Sequence, residues 1–232
     1  MKIRADLQLH TLCSDGSSDG DAVVRRALIK GLRAVAPTDH NTFRGYYIVK
    51  KAVDKINADL LVIPGNEVKT DLGELIILCH EPHSDEKIPK RAFELIDYAH
   101  ENNCIVYAPH PYDPMRLGVR DNIQRLRIDA VEVFNASAPP WSNKKALKKA
   151  LELGLPMLAN SDAHIPEFIG SAHNIINVDE ISIEEVFRNI KMKNVWPVAK
   201  RPSIYAYIKD LFHSIRLKIS DVDRSLCYES IF

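Results

Sequence analysis

Four histidines of this chain each stand at the end of an apolar, strand-like run of residues. They are His10, His40, His110 and His164. Imidazole and carboxylate groups that project from separate strand ends can converge on metal ions, and a metal ion that keeps a bound water supports hydrolysis. Each histidine taken alone could equally be a buried, hydrogen-bonded imidazole. Because the same placement recurs four times, the pattern predicts one shared metal site.

Strands and helices alternate along most of the chain. The sequence predicts seven strands, at residues 3–9, 33–36, 60–63, 74–79, 104–107, 130–134 and 155–159. It predicts helices at residues 19–30, 43–57, 90–102 and 144–153. A glycine-containing turn near residues 71–73 predicts that strand 74–79 pairs with strand 60–63. The alternation favours an α/β fold with a seven-unit (β/α) barrel, similar to a TIM barrel.

In barrels of this type the chemistry lies at the carboxyl ends of the strands, where loops from different units meet. Residues of suitable type follow the predicted strands at His10, His40, Glu67, His110, Asn135, Asp162 and His164. A chance distribution would scatter such residues over both ends of the strands. We therefore expect them to lie together at one rim.

Composition limits the other classes of function. The chain has 232 residues, of which 46% are hydrophobic, and this suits one domain with a sizeable core. Its 31 basic and 31 acidic residues balance, so the net charge does not favour binding to nucleic acid. The four cysteines lack paired spacing, and the N-terminus has no long apolar stretch. These features predict a cytoplasmic protein with free thiols and no membrane partner.

Six segments carry a resemblance to a known family. They are D-L-Q-L-H-T-L-C-S-D-G at 6–16, P-T-D-H-N-T at 37–42, P-G-N-E-V at 64–68, A-P-H-P-Y-D at 108–113, V-E-V-F-N at 131–135 and S-D-A-H at 161–164. In this order and spacing they resemble the motifs of the polymerase-and-histidinol-phosphatase (PHP) family of metal-dependent phosphoesterases. The resemblance implies a distorted seven-unit barrel that binds two or three divalent ions, commonly zinc, manganese or iron.

The resemblance also implies a set of metal ligands. They are His10, Asp15, His40, Glu67, His110, Asp162 and His164, with Glu67 bridging two ions. Asp15 could instead belong to a plain turn in S-D-G, although we favour the ligand role. Glu74 and His80 compete for one further position, and the family pattern of G-E followed by an apolar run favours Glu74.

The chain departs from the family pattern at Gln8, because the first motif is normally H-x-H. A carboxamide oxygen is a neutral and weak ligand for zinc compared with imidazole. The site could therefore bind one ion less tightly, work with two ions, or have lost catalysis. The first two outcomes are favoured, since the remaining ligand set is intact.

This site predicts hydrolysis of a small phosphorylated metabolite or nucleotide by a hydroxide that bridges the metal ions. The leaving group would take its proton from Asp39 or from water, and Asp6 and Asp39 would orient the ligand histidines. Arg116 would contact the phosphate, with Arg120 as a weaker candidate. The alternative is a catalytically weakened PHP domain with a structural or regulatory role, suggested by Gln8. The balanced charge speaks against a third reading, phosphodiesterase action on nucleic acid.

The chain divides into a phosphoesterase barrel at residues 1–200 and a helical extension at residues 201–232. In the extension, apolar residues recur at helical spacing at Tyr205, Ile208, Leu211, Phe212 and Ile215, with Lys209, Arg216 and Lys218 opposite. This amphipathic C-terminal helix could pack on the barrel, pair with another subunit or lie on a membrane. Packing on the barrel is the preferred interpretation, and residues 223–232 show no periodicity.

Overall fold

The computed structural model describes residues 1–219 and Cys227, and it has a mixed α/β fold. Its strands are β1 (Lys2–Leu9), β2 (Ala34–Pro37), β3 (Leu61–Val62), β4 (Gly65–Thr70), β5 (Gly73–Leu78), β6 (Ile105–Ala108), β7 (Ala130–Asn135), β8 (Met157–Asn160), β9 (His173–Asn177) and β10 (Val195–Val198). Its α-helices are α1 (Gly20–Ile29), α2 (Arg44–Ile56), α3 (Ala92–Glu101), α4 (Pro140–Leu153), α5 (Ile183–Lys191) and α6 (Ile204–Ile219). Short 3-10 helices span Asp85–Lys87, Arg120–Gln124 and Pro166–Phe168.

The strands form two mixed sheets of five strands each. The first sheet has the order β10-β9-β1-β2-β3, with β1 parallel to β2 and antiparallel to β9. The second sheet has the order β4-β5-β6-β7-β8, which is antiparallel from β4 to β6 and parallel from β6 to β8. The parallel strands of both sheets turn their carboxyl ends toward the same region.

The two sheets do not close into the predicted seven-unit barrel. Among the described residues, isolated bridges join Leu9 to Ala163 and His40 to Glu67. Where β1 passes β8, the Leu7 amide donates to the side chain of Asn160 at 3.1 Å, and the Asn174 side chain donates to the same oxygen at 3.0 Å. Side-chain amides therefore take the place of a continuous backbone ladder at this seam.

The predicted hairpin partner of strand 74–79 was wrong. Strand β5 pairs in antiparallel register with β4, from Gly65 opposite Leu78 to Thr70 opposite Gly73. Gly73 has a φ of 125°, a backbone conformation that favours glycine at the turn. Because β4 runs through Glu67, this residue lies within a strand rather than at a carboxyl end.

One of the hydrophobic core clusters lies between the two sheets. Ile3 and Leu7 of β1 pack there with Ile76 and Leu78 of β5 and with Tyr107 of β6. The Tyr107 hydroxyl donates to the Leu7 carbonyl at 2.8 Å, which satisfies the polar group of a fully buried ring. Helices α1 and α2 cover the outer face of the first sheet, and α3 covers the outer face of the second. This packing fills the interior with apolar side chains below the polar rim.

The expectation of free thiols was wrong, because all four cysteines form disulfides. Cys79 is bonded to Cys104, and Cys13 is bonded to Cys227. The partners are 25 and 214 residues apart in sequence, so that the fold rather than local spacing brings them together. Cysteine spacing alone could not reveal either pair.

Replacing both Cys79 and Cys104 with alanine is expected to lower the free energy of unfolding by about 3 kcal/mol, because the disulfide restricts the unfolded chain. Denaturant unfolding of metal-free protein, with and without a reductant, measures the change. The reductant should lower the stability of the wild type more than that of the double variant. The double variant has only the Cys13–Cys227 disulfide left to lose. Alkylation of all four thiols in folded, unreduced protein would contradict the pairing.

Helix α6 packs with the opposite face from the one expected. Its large apolar side chains are exposed, at Ile204, Tyr205, Ile208, Leu211, Phe212 and Ile215. The inward face carries Ala206, Tyr207, Asp210 and His213. No helix in the described part of the chain is long and apolar enough to cross a membrane. The side chain of Lys218 and residues 223–232, apart from Cys227, lie outside the described residues.

Candidate metal centre

Three fully buried atoms converge at the centre of the site. His10 Nε2 lies 3.1 Å from Glu67 Oε2 and 3.2 Å from Asp162 Oδ1. None of these three atoms has a hydrogen bond of acceptable geometry. Since buried polar atoms are normally paired, this convergence of a nitrogen and two carboxylate oxygens points to a cation. We call these three residues the inner group.

A second set of donors lies toward solvent. Asp15 Oδ2 is 3.4 Å from His40 Nε2 and 3.4 Å from His164 Nε2. The other oxygen of Asp15 is 3.5 Å from His10 Nδ1, so this outer group adjoins the inner group. Ligand atoms of these four residues all lie within 4.8 Å of one another. The structure thus places Asp15 among imidazoles, although its S-D-G context also suited a plain turn.

A third set shares Glu67 with the inner group. Glu67 Oε1 is 2.9 Å from His110 Nε2, while its other oxygen faces His10. Glu74 lies close by, with its oxygens 3.9 Å from His40 Nδ1 and 4.0 Å from His110 Nε2. His80 instead lies 3.4 Å from Glu184, away from these donors. Of the two competing residues, the structure brings Glu74 to the site.

An irregularity in β1 aims its last residues into the site. Asp6 is opposite Val35 and Leu9 is opposite Pro37, so three steps along β1 match two along β2. Such a bulge turns successive side chains toward the same side and re-aims the strand end. After the bulge, Gln8 and His10 share a face because they are two residues apart. Gln8 is fully buried, and neither its Oε1 nor its Nε2 has a partner.

Two of the donor residues have unusual backbone dihedral angles. His110 has a φ of 28° and Asp162 a φ of 51°, in the left-handed region that non-glycine residues seldom adopt. Each such residue costs about 1–3 kcal/mol and persists only where its surroundings fix it. Here the conformation directs both side chains to the central cluster. This strain is typical of functional sites.

Asp39 holds the loop that carries Asp15. Its Oδ1 accepts from the Thr11 amide at 2.9 Å and from the Ser14 hydroxyl at 2.6 Å, and its Oδ2 accepts from the Thr11 hydroxyl at 2.8 Å. Both oxygens of this fully buried carboxylate are therefore used within the protein. The geometry does not support the expectation that Asp39 gives a proton to a leaving group. It makes Asp39 a positioning residue.

Asp6 has a similar role behind Asp162. Its two oxygens accept from the amides of Ser161 at 3.1 Å and Gly170 at 2.8 Å, and burial raises its pKa to about 6. The expected orientation of histidines by Asp6 and Asp39 is not seen in the described contacts. For His164, the nearby acceptor is instead the Asp162 carbonyl, 2.9 Å from Nδ1.

Arg116 lies at the edge of the inner group. One of its terminal nitrogens is 2.9 Å from Asp162 Oδ2, which also accepts from the Asn135 side chain at 3.0 Å. Asn135 in turn donates to Glu132, a buried carboxyl whose pKa burial raises to about 7. Arg120 is exposed and begins a 3-10 helix on the surface. The structure brings Arg116, and not Arg120, to the site.

The donors form a charged network in the metal-free protein. Burial alone would lower the pKa of His10, but the nearby carboxylates of Asp162, Glu67 and Asp15 outweigh it and raise this pKa well above its usual value. Burial would raise the pKa of Glu67, but the positive charge of His40 and the contacts with His10 and His110 hold it well below its usual value. Protons on the histidines therefore occupy the positions that a cation would take.

Metal affinity is expected to rise with pH because the pKa values of His10, His40 and His110 are all raised. In metal-free protein, their protonated forms contribute stability below the unfolded pKa, and this is lost as pH rises through the folded pKa. A divalent ion must displace these protons, so binding should be at least about tenfold tighter near pH 8 than near pH 6. Calorimetric titration with Mn²⁺ measures this, and an affinity independent of pH would contradict it.

Two residues near the site come from outside all six motifs. His213 Nε2 on α6 is 2.7 Å from the Asp15 carbonyl. The Asp210 carboxyl is within range of the charges of His164, Arg116 and Asp162, and burial raises its pKa. Neither residue stood out in the sequence as a candidate for the site. The signal that could have revealed the pair is their spacing of three on the helix face opposite the apolar stripe.

Comparisons with known proteins identify relatives of this chain in sequence and in fold. A family model described as PHP-associated matches residues 140–195. The uncharacterized protein MJ1587 of Methanocaldococcus jannaschii is 35% identical over 147 residues, which cover 58% of this chain and 82% of that protein. A two-domain protein from Bacteroides vulgatus, containing a predicted PHP-like metal-dependent phosphoesterase, has a TM-score of 0.66 at 16% identity. This chain belongs to the PHP family.

The family resemblance drawn from the six motifs is therefore confirmed. The match covers 86% of this PHP chain and 65% of the Bacteroides protein. The lesion-specific endonuclease Q of Pyrococcus furiosus has a TM-score of 0.63 at 19% identity, and the match covers 83% of this chain and 56% of that one. This PHP protein thus spans less than two thirds of either structure. At these identities the likeness establishes a shared fold.

Proposed function

We propose that this PHP protein is a metal-dependent phosphoesterase that hydrolyses a small phosphorylated metabolite or nucleotide. The observation that carries the proposal is the inner group, in which unpartnered atoms of His10, Glu67 and Asp162 face one another in a buried site. The shared fold with PHP-like phosphoesterases supports it.

The donor set fits two or three divalent ions. The inner group would hold one ion, the outer group of Asp15, His40 and His164 a second, and Glu67 with His110 and Glu74 a third. Mixed nitrogen and oxygen donors suit zinc, manganese or iron. When bound, such ions lower the pKa of water and offset negative charge on the phosphoryl group.

The protein's own groups then bind and orient the substrate. Asp162 fixes the Arg116 guanidinium from one side at 2.9 Å, which leaves its other N–H groups to donate to phosphoryl oxygens. Asp39 keeps the Asp15 loop in place, and Asp6 does the same for the segment before Asp162. Because both oxygens of Asp39 are used within the protein, water is the proposed proton donor.

Metal analysis combined with a phosphatase assay tests the proposal. Purified protein should contain at least two divalent ions per chain and should hydrolyse p-nitrophenyl phosphate or a member of a phosphorylated-metabolite panel. Removal of the ions with a chelator should abolish turnover, and adding Mn²⁺ or Zn²⁺ should restore it. Protein that carries its ions but turns over no phosphate ester would favour the structural or regulatory alternative, which rests on Gln8.

Replacing Gln8 with histidine is expected to tighten binding of one ion about tenfold, because an imidazole replaces a neutral amide oxygen on the face shared with His10. The rate should rise with occupancy at limiting metal. Calorimetric titration with Zn²⁺ and elemental analysis measure the change. The exposed Gln124, replaced in the same way, is the control. Equal affinities in the wild type and both variants would show that position 8 is not a ligand.

The remaining expectations stay proposals. The barrel-like part at 1–200 would carry the activity, and residues 201–232 would form an extension. Ultracentrifugation tests whether two copies pair through the exposed face of α6. Cell fractionation tests a cytoplasmic location. The endonuclease named above acts on nucleic acid, but the balanced charge of this chain favours a small substrate.

A further inference from the structure

Helix α6 presents its polar face to the protein and its apolar face to solvent. Tyr207, Asp210 and His213 face inward at a spacing of three, while Tyr205 and Phe212 are among the exposed residues. An amphipathic helix that packs for hydrophobic burial alone would have the reverse orientation. Contacts with other parts of the protein must therefore explain why the polar face of α6 turns inward.

The helix meets three loops that carry site residues. His213 reaches the Asp15 carbonyl at 2.7 Å. The Tyr207 hydroxyl donates to the Ala136 carbonyl at 2.6 Å, in the loop after Asn135. Two residues further along, the exposed Lys209 donates to Glu167 at 2.5 Å, in the loop after His164.

Two further contacts attach the helix to the body. The Tyr207 ring packs edge-on against Phe168 with their centroids 5.3 Å apart. Ala206 is buried in the core cluster of the first sheet. Beyond the helix, the Cys13–Cys227 disulfide joins the C-terminal segment to the loop between His10 and Asp15. The helix is therefore attached near its start by Ala206 and Tyr207, and Cys227 is attached separately to the loop next to the outer donor group.

We propose that α6 forms a roof over the metal centre and makes the site selective for a phosphate at the end of a small molecule. The inference rests on the proposed function. A phosphate monoester projects one substituent from the phosphorus, whereas a diester projects two. Because α6 lies against the Asp15 loop at the outer donor group, the second substituent of a diester would meet the helix.

The test compares two aromatic residues on one helix in full-length, oxidised protein. Tyr207→Ala removes a contact that holds the roof, while Phe212→Ala removes an exposed ring and serves as the matched control. Cys227→Ser releases the second attachment. For each protein, kcat/KM is measured with p-nitrophenyl phosphate and with bis(p-nitrophenyl) phosphate, and a melting curve checks the fold.

Tyr207→Ala and Cys227→Ser are each expected to raise the diester-to-monoester ratio of kcat/KM about tenfold, and Phe212→Ala should leave it unchanged. An unchanged ratio in both loosened variants would overturn the roof.

Measurements of ligand binding distinguish a failure of this inference from a failure of the proposed function. In metal-loaded protein, calorimetry should detect phenyl phosphate but not diphenyl phosphate with the wild type, and both ligands with Tyr207→Ala. Equal results for the two ligands in the wild type, including binding of neither, would overturn the roof. If the binding pattern holds but no protein turns over any ester, the roof stands and the phosphoesterase proposal fails.

Discussion

Replacing Glu67 with glutamine should lower kcat/KM for the phosphate ester by at least about a thousandfold and reduce the number of bound ions. Glu67 is the residue shared between donor groups, since one oxygen faces His10 and the other faces His110. Glutamine has the same shape but supplies one neutral oxygen and an N–H donor in place of two anionic oxygens. Both groups that depend on Glu67 therefore lose a ligand in a single change.

Elemental analysis and steady-state kinetics on the same preparation measure the two effects. Glu94→Gln on the exposed face of α3 changes the charge equally and should behave as wild type. Thermal unfolding after chelation should show that the Glu67 variant still folds. Full activity with full ion content in Glu67→Gln would remove the basis of the metal-centre proposal.

Replacing Arg116 with methionine should lower kcat/KM about a hundredfold while leaving the ion content unchanged, because the guanidinium is proposed to bind the substrate rather than an ion. Methionine keeps much of the length and bulk of the side chain. Asp162 retains its hydrogen bond from Asn135 and its contact with His10, so the inner group should persist.

Arg120, four residues further on, is the matched control because it is exposed and lies outside the site. Inhibition by inorganic phosphate should weaken in Arg116→Met and stay unchanged in Arg120→Met. Arg116→Lys should recover part of the activity, since it restores a positive charge without the planar fork. A loss of bound ions in Arg116→Met would instead identify a structural role for this residue.

The candidate site was largely predictable because its chemistry is local in sequence. Histidines directly follow short apolar strands at His10, His40 and His110, and parallel strands bring their carboxyl ends together. Glu67 was found through its motif, but its strand was missed. Strand β4 contains Gly65 and Asn66, residues with low strand propensity, and its partner β5 supplies most of the apolar surface.

Features set by tertiary contacts were not predictable. The pattern of α6 identified an amphipathic helix but not which face turns inward, since the polar rim that receives Asp210 and His213 exists only in the folded protein. Strands β9 and β10 escaped prediction, and β10 includes Pro197, which is seldom found within a ladder. The cysteine pairs likewise depend on the fold.

Because the sheets are joined by an incomplete seam, bound cations would also stabilise the fold. In the inner group, His10 follows a strand of the first sheet, while Glu67 and Asp162 belong to the second. The outer group likewise takes Asp15 and His40 from one sheet and His164 from the other. An ion in either of these two groups would cross-link two sheets that share little backbone pairing. Cation concentration would then set the heat tolerance of this molecule together with its catalytic competence.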